Sequence, residues 1–246
     1  MKKIFILALA VWIAAAGFSS AELFNIQNID YGKANLKAID KATGNVLWQC
    51  VLNVQRGNGF VFSEEKGEGI WGKDRAYKTW DSRAYFKLEG TRLIPYQIEI
   101  VIRDKNGKIV QSTRKTYDLK NQTVYCIFNG RSKVINFDDD LIDKEQMGVC
   151  VSNYDFEAKK DMVFHLLTNE PTRYKMTLKY LGAETVDNVA CHKLQLIPDL
   201  GALNVIGAFV PKTYFWMEAA PPHDFVRYEG LESGLGTPYI VMEKSR

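Results

Sequence analysis

Three histidines, four cysteines and one acidic run are the residues of this chain that could do chemistry. His165, His192 and His223 are far apart, and no HExxH or similar spacing puts two imidazoles on one helix face, so a zinc site of that kind is excluded. His192 alternates with Ala190, Leu194 and Leu196, where a core imidazole is the ordinary outcome. His223-Asp224 follows Pro221-Pro222 and could supply a base or a metal ligand, though an exposed turn is the simpler reading. Asp138-Asp139-Asp140 with Asp143 offers oxygen ligands of the kind calcium takes. It lacks the Gly and terminal Glu at loop spacing, so it reads as a solvated acidic turn. No GxSxG elbow and no glycine-rich phosphate loop appears. Cys50, Cys126, Cys150 and Cys191 contain no CxxC or CxxCH, which removes redox and haem motifs. In an oxidising compartment four cysteines allow two disulfides, in three connectivities. Cys50 shares an alternating face with Val46, Trp48, Leu52 and Val54 and reads as core, whereas Cys191 falls on a polar face beside Lys193. The expectation is no catalytic residue, no metal and no cofactor.

The elements around these residues are strands. Tyr174, Met176, Leu178 and Tyr180 alternate with Lys175, Thr177 and Lys179, the period of a strand with one buried face. Gly182 is expected to break that strand, and Ala190–Ile197 to return antiparallel. Asn35–Asp40 and Asn45–Val54 are joined by a Gly-containing hairpin, and Phe60–Phe62 opens another strand. Ser63–Lys73, rich in Glu, Lys and Gly, reads as a turn or exposed strand end. Tyr96, Ile98, Ile100 and Ile102 form a clean apolar face. Asn106-Gly107 and Asn129-Gly130 are tight-hairpin signals. Two stretches break the pattern. Glu157–Thr168 carries Val163, Leu166 and Leu167 at helical spacing, with Asp155 placed to cap it and Pro171 beyond. Leu200–Val210 is apolar nearly all round and must be covered or cover something. Tyr85-Phe86-Lys87-Leu88-Glu89 and Tyr214-Phe215-Trp216-Met217-Glu218 echo one another, as two aromatic strands or as two equivalent units of one sheet. The fold expected is mainly β: a curved antiparallel sheet forming an open or half barrel, with one or two short helices covering the concave face.

Residues 1–21 read as a signal peptide. Lys2 and Lys3 precede an apolar run from Ile4 to Gly17, and Ser19-Ser20-Ala21 suits a signal peptidase, with cleavage expected before Glu22. The run is shorter than the roughly 20 residues a bilayer span needs. Residues 22–246 are then one open-barrel β domain, exported to the periplasm. Without Lys2 and Lys3 the 32 basic side chains fall to 30, against 29 acidic ones. A near-neutral chain gives no electrostatic case for nucleic acid.

From Tyr174 onward the order of features resembles a known group. The strand pair KYLGAETVDNVACHKLQL, an apolar connection, the aromatic strand TYFWME, then RYEG and GTPYIVME are similar to an uncharacterised family of bacterial periplasmic proteins related to the LolA-like lipoprotein carriers. The resemblance implies an open barrel around a hydrophobic cavity. Trp48, Trp71, Trp80 and Trp216, with many Tyr and Phe, can line a concave sheet, and larger barrels enclose ligand space. The leading expectation is non-catalytic binding of a lipid, an acyl chain or a lipidated protein. Trp48, Tyr85, Ile98, Ile100, Leu194, Leu196 and Trp216 would line the groove, with Leu203, Ile206 and Phe209 as a lid. The alternatives are an envelope scaffold with a filled core and an envelope protein partner and, last, a hydrolase using His223 and Asp224.

Overall fold

Among the described residues, alternating side chains become 15 strands of one sheet. A computed structural model describes residues 24–199, 201 and 211–245. The leader and the lid residues Leu203, Ile206 and Phe209 lie outside the described residues. The first eight strands are β1 (Gly32–Asp40), β2 (Val46–Gly57), β3 (Phe60–Trp71), β4 (Ala76–Glu89), β5 (Arg92–Asp104), β6 (Ile109–Asp118), β7 (Thr123–Phe128) and β8 (Arg131–Asn136). After them come β9 (Leu141–Asp143), a 3-10 turn at Lys144–Gln146, and helix α1 (Met147–Ser152). The chain ends with β10 (Met162–Leu167), β11 (Arg173–Val186), β12 (Val189–Pro198), β13 (Thr213–Glu218), β14 (Phe225–Leu231) and β15 (Tyr239–Lys244). The spatial order runs β8 to β1, then β15 back to β9, so the two ends of the chain meet mid-sheet where β1 pairs with β15. Every pairing is antiparallel except the short β9–β10 one.

The sheet is curved and not closed. Its edge strands β8 and β9 share no ladder, yet side chains tie the two margins. Arg173 donates to the Asn136 carbonyl at 3.0 Å and to Asp138 Oδ2 at 3.1 Å, and Lys133 Nζ to the Pro171 carbonyl at 2.9 Å. Register on the convex face is held by charge. Asn53, Glu64, Arg83, Glu99 and Arg114 stand directly opposite one another across β2–β6. Arg83 Nε lies 3.3 Å from Glu64 and Arg114 2.8 Å from Glu99. A one-residue slip would turn these groups into the core.

The core fills the concave side. Ile98, Val124, Phe164, Leu178 and Leu194 are wholly buried in one cluster drawn from both halves of the sheet. Helix α1 adds Met147, Cys150 and Val151 to it. The segment before β1 adds Phe24 and Ile26, pinned by Asn153, whose Oδ1 accepts from Gln27 N at 2.8 Å and Asn28 N at 2.9 Å. One charged pair sits inside. Lys115 Nζ donates to Asp143 Oδ2 at 2.7 Å, both side chains fully buried, and Tyr117 Oη donates to the same oxygen at 2.5 Å. Asp143 Oδ1 caps the 3-10 turn through Glu145 N, and Gln146 returns a bond to Asp143 N while Nε2 donates to the Leu93 carbonyl.

Several local expectations are corrected. Glu157–Thr168 is not a helix: its apolar half is strand β10, and Asp155 Oδ1 takes Glu157 N and Ala158 N in a turn. Six residues pairing with β11, three of them also with β9, outweigh a marginal helical spacing. Ser63–Lys73 is mostly strand β3 rather than a turn. Gly182 does not end its strand; a bulge at Tyr180/Gly182 carries β11 on to Val186. The four cysteines are free and buried, with no disulfide. Cys191 is not on a polar surface but packs with Val186 and Trp216 in a small convex-side cluster.

Removing one partner of the buried pair leaves an uncompensated charge. Lys115→Met is expected to cost about 3–5 kcal/mol, read as a lower urea midpoint. Adding Asp143→Asn should recover part of the loss, since Asn keeps an oxygen to cap the turn. An unchanged midpoint in the single variant would refute the assignment.

Candidate functional site

Not every large apolar side chain of the concave face is closed to solvent. Leu52, Trp71, Trp80 and Phe225 pack against both the main core and a second cluster formed by Leu36, Ala38, Leu47, Trp48, Cys50 and Ile240. All four keep part of their surface in solvent. They form a partly exposed apolar patch on the inner face between the two cores, called the bay, extended by the half-buried Tyr228 and Met242.

Close packing of tryptophans on glycines builds the bay. Trp80 stands opposite Gly67, and Gly69 opposite Trp48. A Cβ at Gly67 would lie 2.1 Å from Trp80 Cζ2, and one at Gly69 would lie 2.3 Å from the Leu47 carbonyl. The Trp80 indole lies where a Gly67 side chain would be, an aromatic cover over bare backbone, and at Gly69 the backbone of β2 at Leu47 and Trp48 fills that place. Trp80 contacts Trp48 edge-to-face at 5.5 Å and Trp71 at 6.2 Å. Each indole N–H facing the interior needs an acceptor. Trp80 Nε1 donates to Glu65 Oε1 at 2.6 Å and Trp48 Nε1 to Glu232 Oε1 at 2.8 Å. Glu232 Oε2 also takes Gly72 N at 2.7 Å, and Ser82 Oγ donates to Glu145 at 3.1 Å. Burial pushes the Glu65 carboxyl up, and the neighbouring charge of Glu145 adds to it. Burial pushes Glu232 up as well. The same burial raises the Cys50 thiol beside Glu65, so it is a poor nucleophile.

The residues expected to line a groove divide. Ile98 and Ile100 are buried in the main core with Leu194, and Leu196 packs half-buried against it. Trp48 is inner-face and borders the bay. Tyr85 and Trp216 are on the convex side. Tyr85 is 39% exposed and packs on Phe62 at 4.8 Å. Trp216 donates to Glu184 and lies under Lys193 Nζ at 4.6 Å. Sequence reasoning missed Leu52, Glu65, Glu145, Phe225 and Glu232. The row Glu65, Gly67, Gly69, Trp71 carries the signal: after Glu65, every second residue of an acidic stretch is Gly or aromatic.

A second constellation joins two of the histidines. The Phe156 ring stacks on His192 at 4.4 Å and contacts His223 at 4.5 Å, so the loop after α1 is held against β12. Tyr180 Oη lies 3.3 Å from His192 Nδ1, and His223 Nδ1 lies 2.9 Å from the Glu218 carbonyl. His165 pairs with Asp140 Oδ2 at 2.7 Å, away from both. Among the described residues no three His, Cys, Asp or Glu side chains could hold a metal ion. Asp138, Asp140 and Asp143 separate into an Arg173 pair, a His165 pair and the buried Lys115 pair.

No protein-family model matches the chain. No curated protein matches it either. Among solved structures it is similar to a β-barrel-like protein of domain of unknown function DUF1849 from Brucella abortus, with a TM-score of 0.57 and 7% identity over 87% of this chain and 95% of that one. It also aligns with a putative exported protein of YmcC-like fold from Bacteroides fragilis, at a TM-score of 0.33 and 12% identity, over 91% of this chain and 98% of that one. The first likeness is one of fold: an open β-barrel-like architecture. No helix among the described residues is long and apolar enough to cross a membrane.

Burial, then the charges of His223 and Lys159, lower the His192 pKa below its ordinary 6.5. An imidazole harder to protonate when folded destabilises the fold as pH falls from about 6.5 through that lowered value. Stability measured across this window should fall on acidification, and His192→Phe should flatten the slope while leaving stability above pH 7 nearly unchanged. Identical slopes in the two proteins would exclude the His192 contact as the sensor.

Proposed function

We propose that this protein is a non-catalytic, exported carrier that binds an apolar ligand, a lipid or acyl chain free or attached to a protein, in the bay of its open barrel. The observation that supports the reading most directly is Leu52, Trp71, Trp80 and Phe225: large apolar side chains on the concave face that still touch solvent while their neighbours are closed off. Covering such surface is worth about 0.8 kcal/mol per CH₂, so a ligand with a chain of several carbons gains enough to bind without any chemistry. The likeness to lipoprotein carriers noted for residues 174–241 points the same way. Cleavage before Glu22 fits this reading, because it leaves Phe24 and Ile26 close to a free terminus and able to pack in the core.

A scaffold reading has one observation in its favour. Phe60, Phe62, Tyr85 and Tyr96 form an aromatic group on the convex face, with Phe60–Tyr96 at 6.0 Å and Phe62–Tyr85 at 4.8 Å. Such a surface suits an envelope protein partner more than an internal ligand.

Two measurements test the proposal. Mass spectrometry of exported protein should give a chain starting at Glu22; a chain that keeps Met1 would refute export by cleavage. Leu52→Trp, which fills the bay, should weaken binding of a fluorescent fatty-alcohol probe by about tenfold or more, equal to 1.4 kcal/mol, with the far-ultraviolet β signal intact. No probe binding to the unaltered protein would favour the scaffold.

A further inference from the structure

We infer that the bay selects among apolar ligands by charge: it takes those carrying an ammonium or other cationic end and turns away those ending in carboxylate or phosphate. This rests on the binding reading above and adds the chemistry of the ligand's polar end.

The indoles carry the first half of the argument. Trp48, Trp71 and Trp80 meet within 5.5–6.2 Å at one place on the concave face, and the latter two keep solvent contact. Indole faces are the most favourable aromatic surface for a cation, and a desolvated site strengthens the attraction. The protein already uses this interaction internally, since Lys78 Nζ lies 5.5 Å from the Trp71 ring centre.

Charge carries the second half. Glu65, Glu145 and Glu232 reach the bay, and each of their partners named above is neutral: two indole N–H groups, one hydroxyl and one backbone N–H. Neutral donors orient a carboxylate without cancelling its charge. Lys78 bonds Asp74 at 2.6 Å and the Trp71 carbonyl at 3.0 Å, so its charge is matched by Asp74. Lys144 is the other cation whose field reaches Glu65 and Glu232, and its side chain is exposed. Glu65, Glu145 and Glu232 thus stand against the exposed Lys144 and the Asp74-paired Lys78, so carboxylates outnumber ammonium groups at the bay. Burial raises the pKa of both Glu65 and Glu232, the charge of Glu145 adds to the rise at Glu65, and Lys144 offsets part of each. A bound cation relieves that repulsion and meets an indole face. A bound anion adds to the repulsion and loses its own hydration.

Calorimetric titration with a matched pair of twelve-carbon amphiphiles, dodecyltrimethylammonium and dodecanoate, each below its micelle threshold at pH 7, tests the inference. The ammonium should bind at least about tenfold more tightly, or 1.4 kcal/mol. Glu65→Gln and Glu232→Gln should each reduce that ratio several-fold, with folding checked by far-ultraviolet signal. Lys144→Gln, at an exposed position, should raise it, and this variant keeps the test open should either glutamine variant fail to fold. Equal binding of the two amphiphiles, or tighter binding of dodecanoate, overturns the charge selection and leaves the apolar bay standing. A ratio unchanged in all three variants overturns it too, since the preference would then come from elsewhere on the surface. No binding of either amphiphile overturns the carrier reading itself.

Discussion

The bond from Lys115 to Asp143 is the constraint on which the interior depends. It joins β6, deep in one half of the sheet, to β9 at the far edge, across the concave side. Asp143 also caps the turn that leads into α1, so one carboxylate fixes both the edge strand and the helix that plugs the barrel. A buried ion pair is a weak source of net stability, because desolvation consumes most of the Coulombic gain. Its value lies in specificity. Lys115, Tyr117 and Gln146 have one arrangement that satisfies them all, and it requires the sheet to curl until its edges face each other.

Once the sheet is curled, its open margin needs protection. Unpaired strand edges invite association with other chains. Here the margin is narrow, because β9 is three residues long, and Arg173 and Lys133 cross it to backbone carbonyls near β8 and β10. Closure by side chains differs from a continuous ladder in one respect: the margin can part without breaking backbone pairing. An open barrel of this kind can admit a bulky ligand where a closed one cannot.

The bay follows from a local conflict between packing and hydration. Gly67 and Gly69 remove two side chains from β3, which makes room for the Trp80 indole over Gly67 and for the close approach of the β2 backbone at Gly69. Indoles bring N–H groups inward, those groups require acceptors, and the acceptors are glutamates. An aromatic interior lined with carboxyl groups thus arises from the way one strand is packed. The imidazole–Phe156 stack does separate work, holding the loop after α1 on β12.

Strand content, hairpin positions and the mainly β class were legible in the sequence because alternation is a local property. Asn129-Gly130 specifies a tight turn wherever it occurs, and Asn129 and Gly130 indeed adopt positive φ. Inner and outer faces were legible within a strand, as for Ile98, Ile100, Leu194 and Leu196, but not where a bulge shifts the count: the extra residue at the Tyr85/Phe86 bulge is Tyr96, which is exposed rather than on the face of Ile98 and Ile100. Local signals misled where partners decide the outcome. Met162–Leu167 has helical spacing and becomes a strand because β9 and β11 flank it. Glu65, Gly67 and Gly69 look like loop residues until Trp80 and Trp48 are placed opposite them. The pairing of β1 with β15, the burial of Lys115 against Asp143 and the gathering of Glu65, Glu145 and Glu232 around the indoles join residues 15 to 208 positions apart. No local pattern encodes such distances, since a contact of that separation is settled by which faces remain to be covered after the strands have paired.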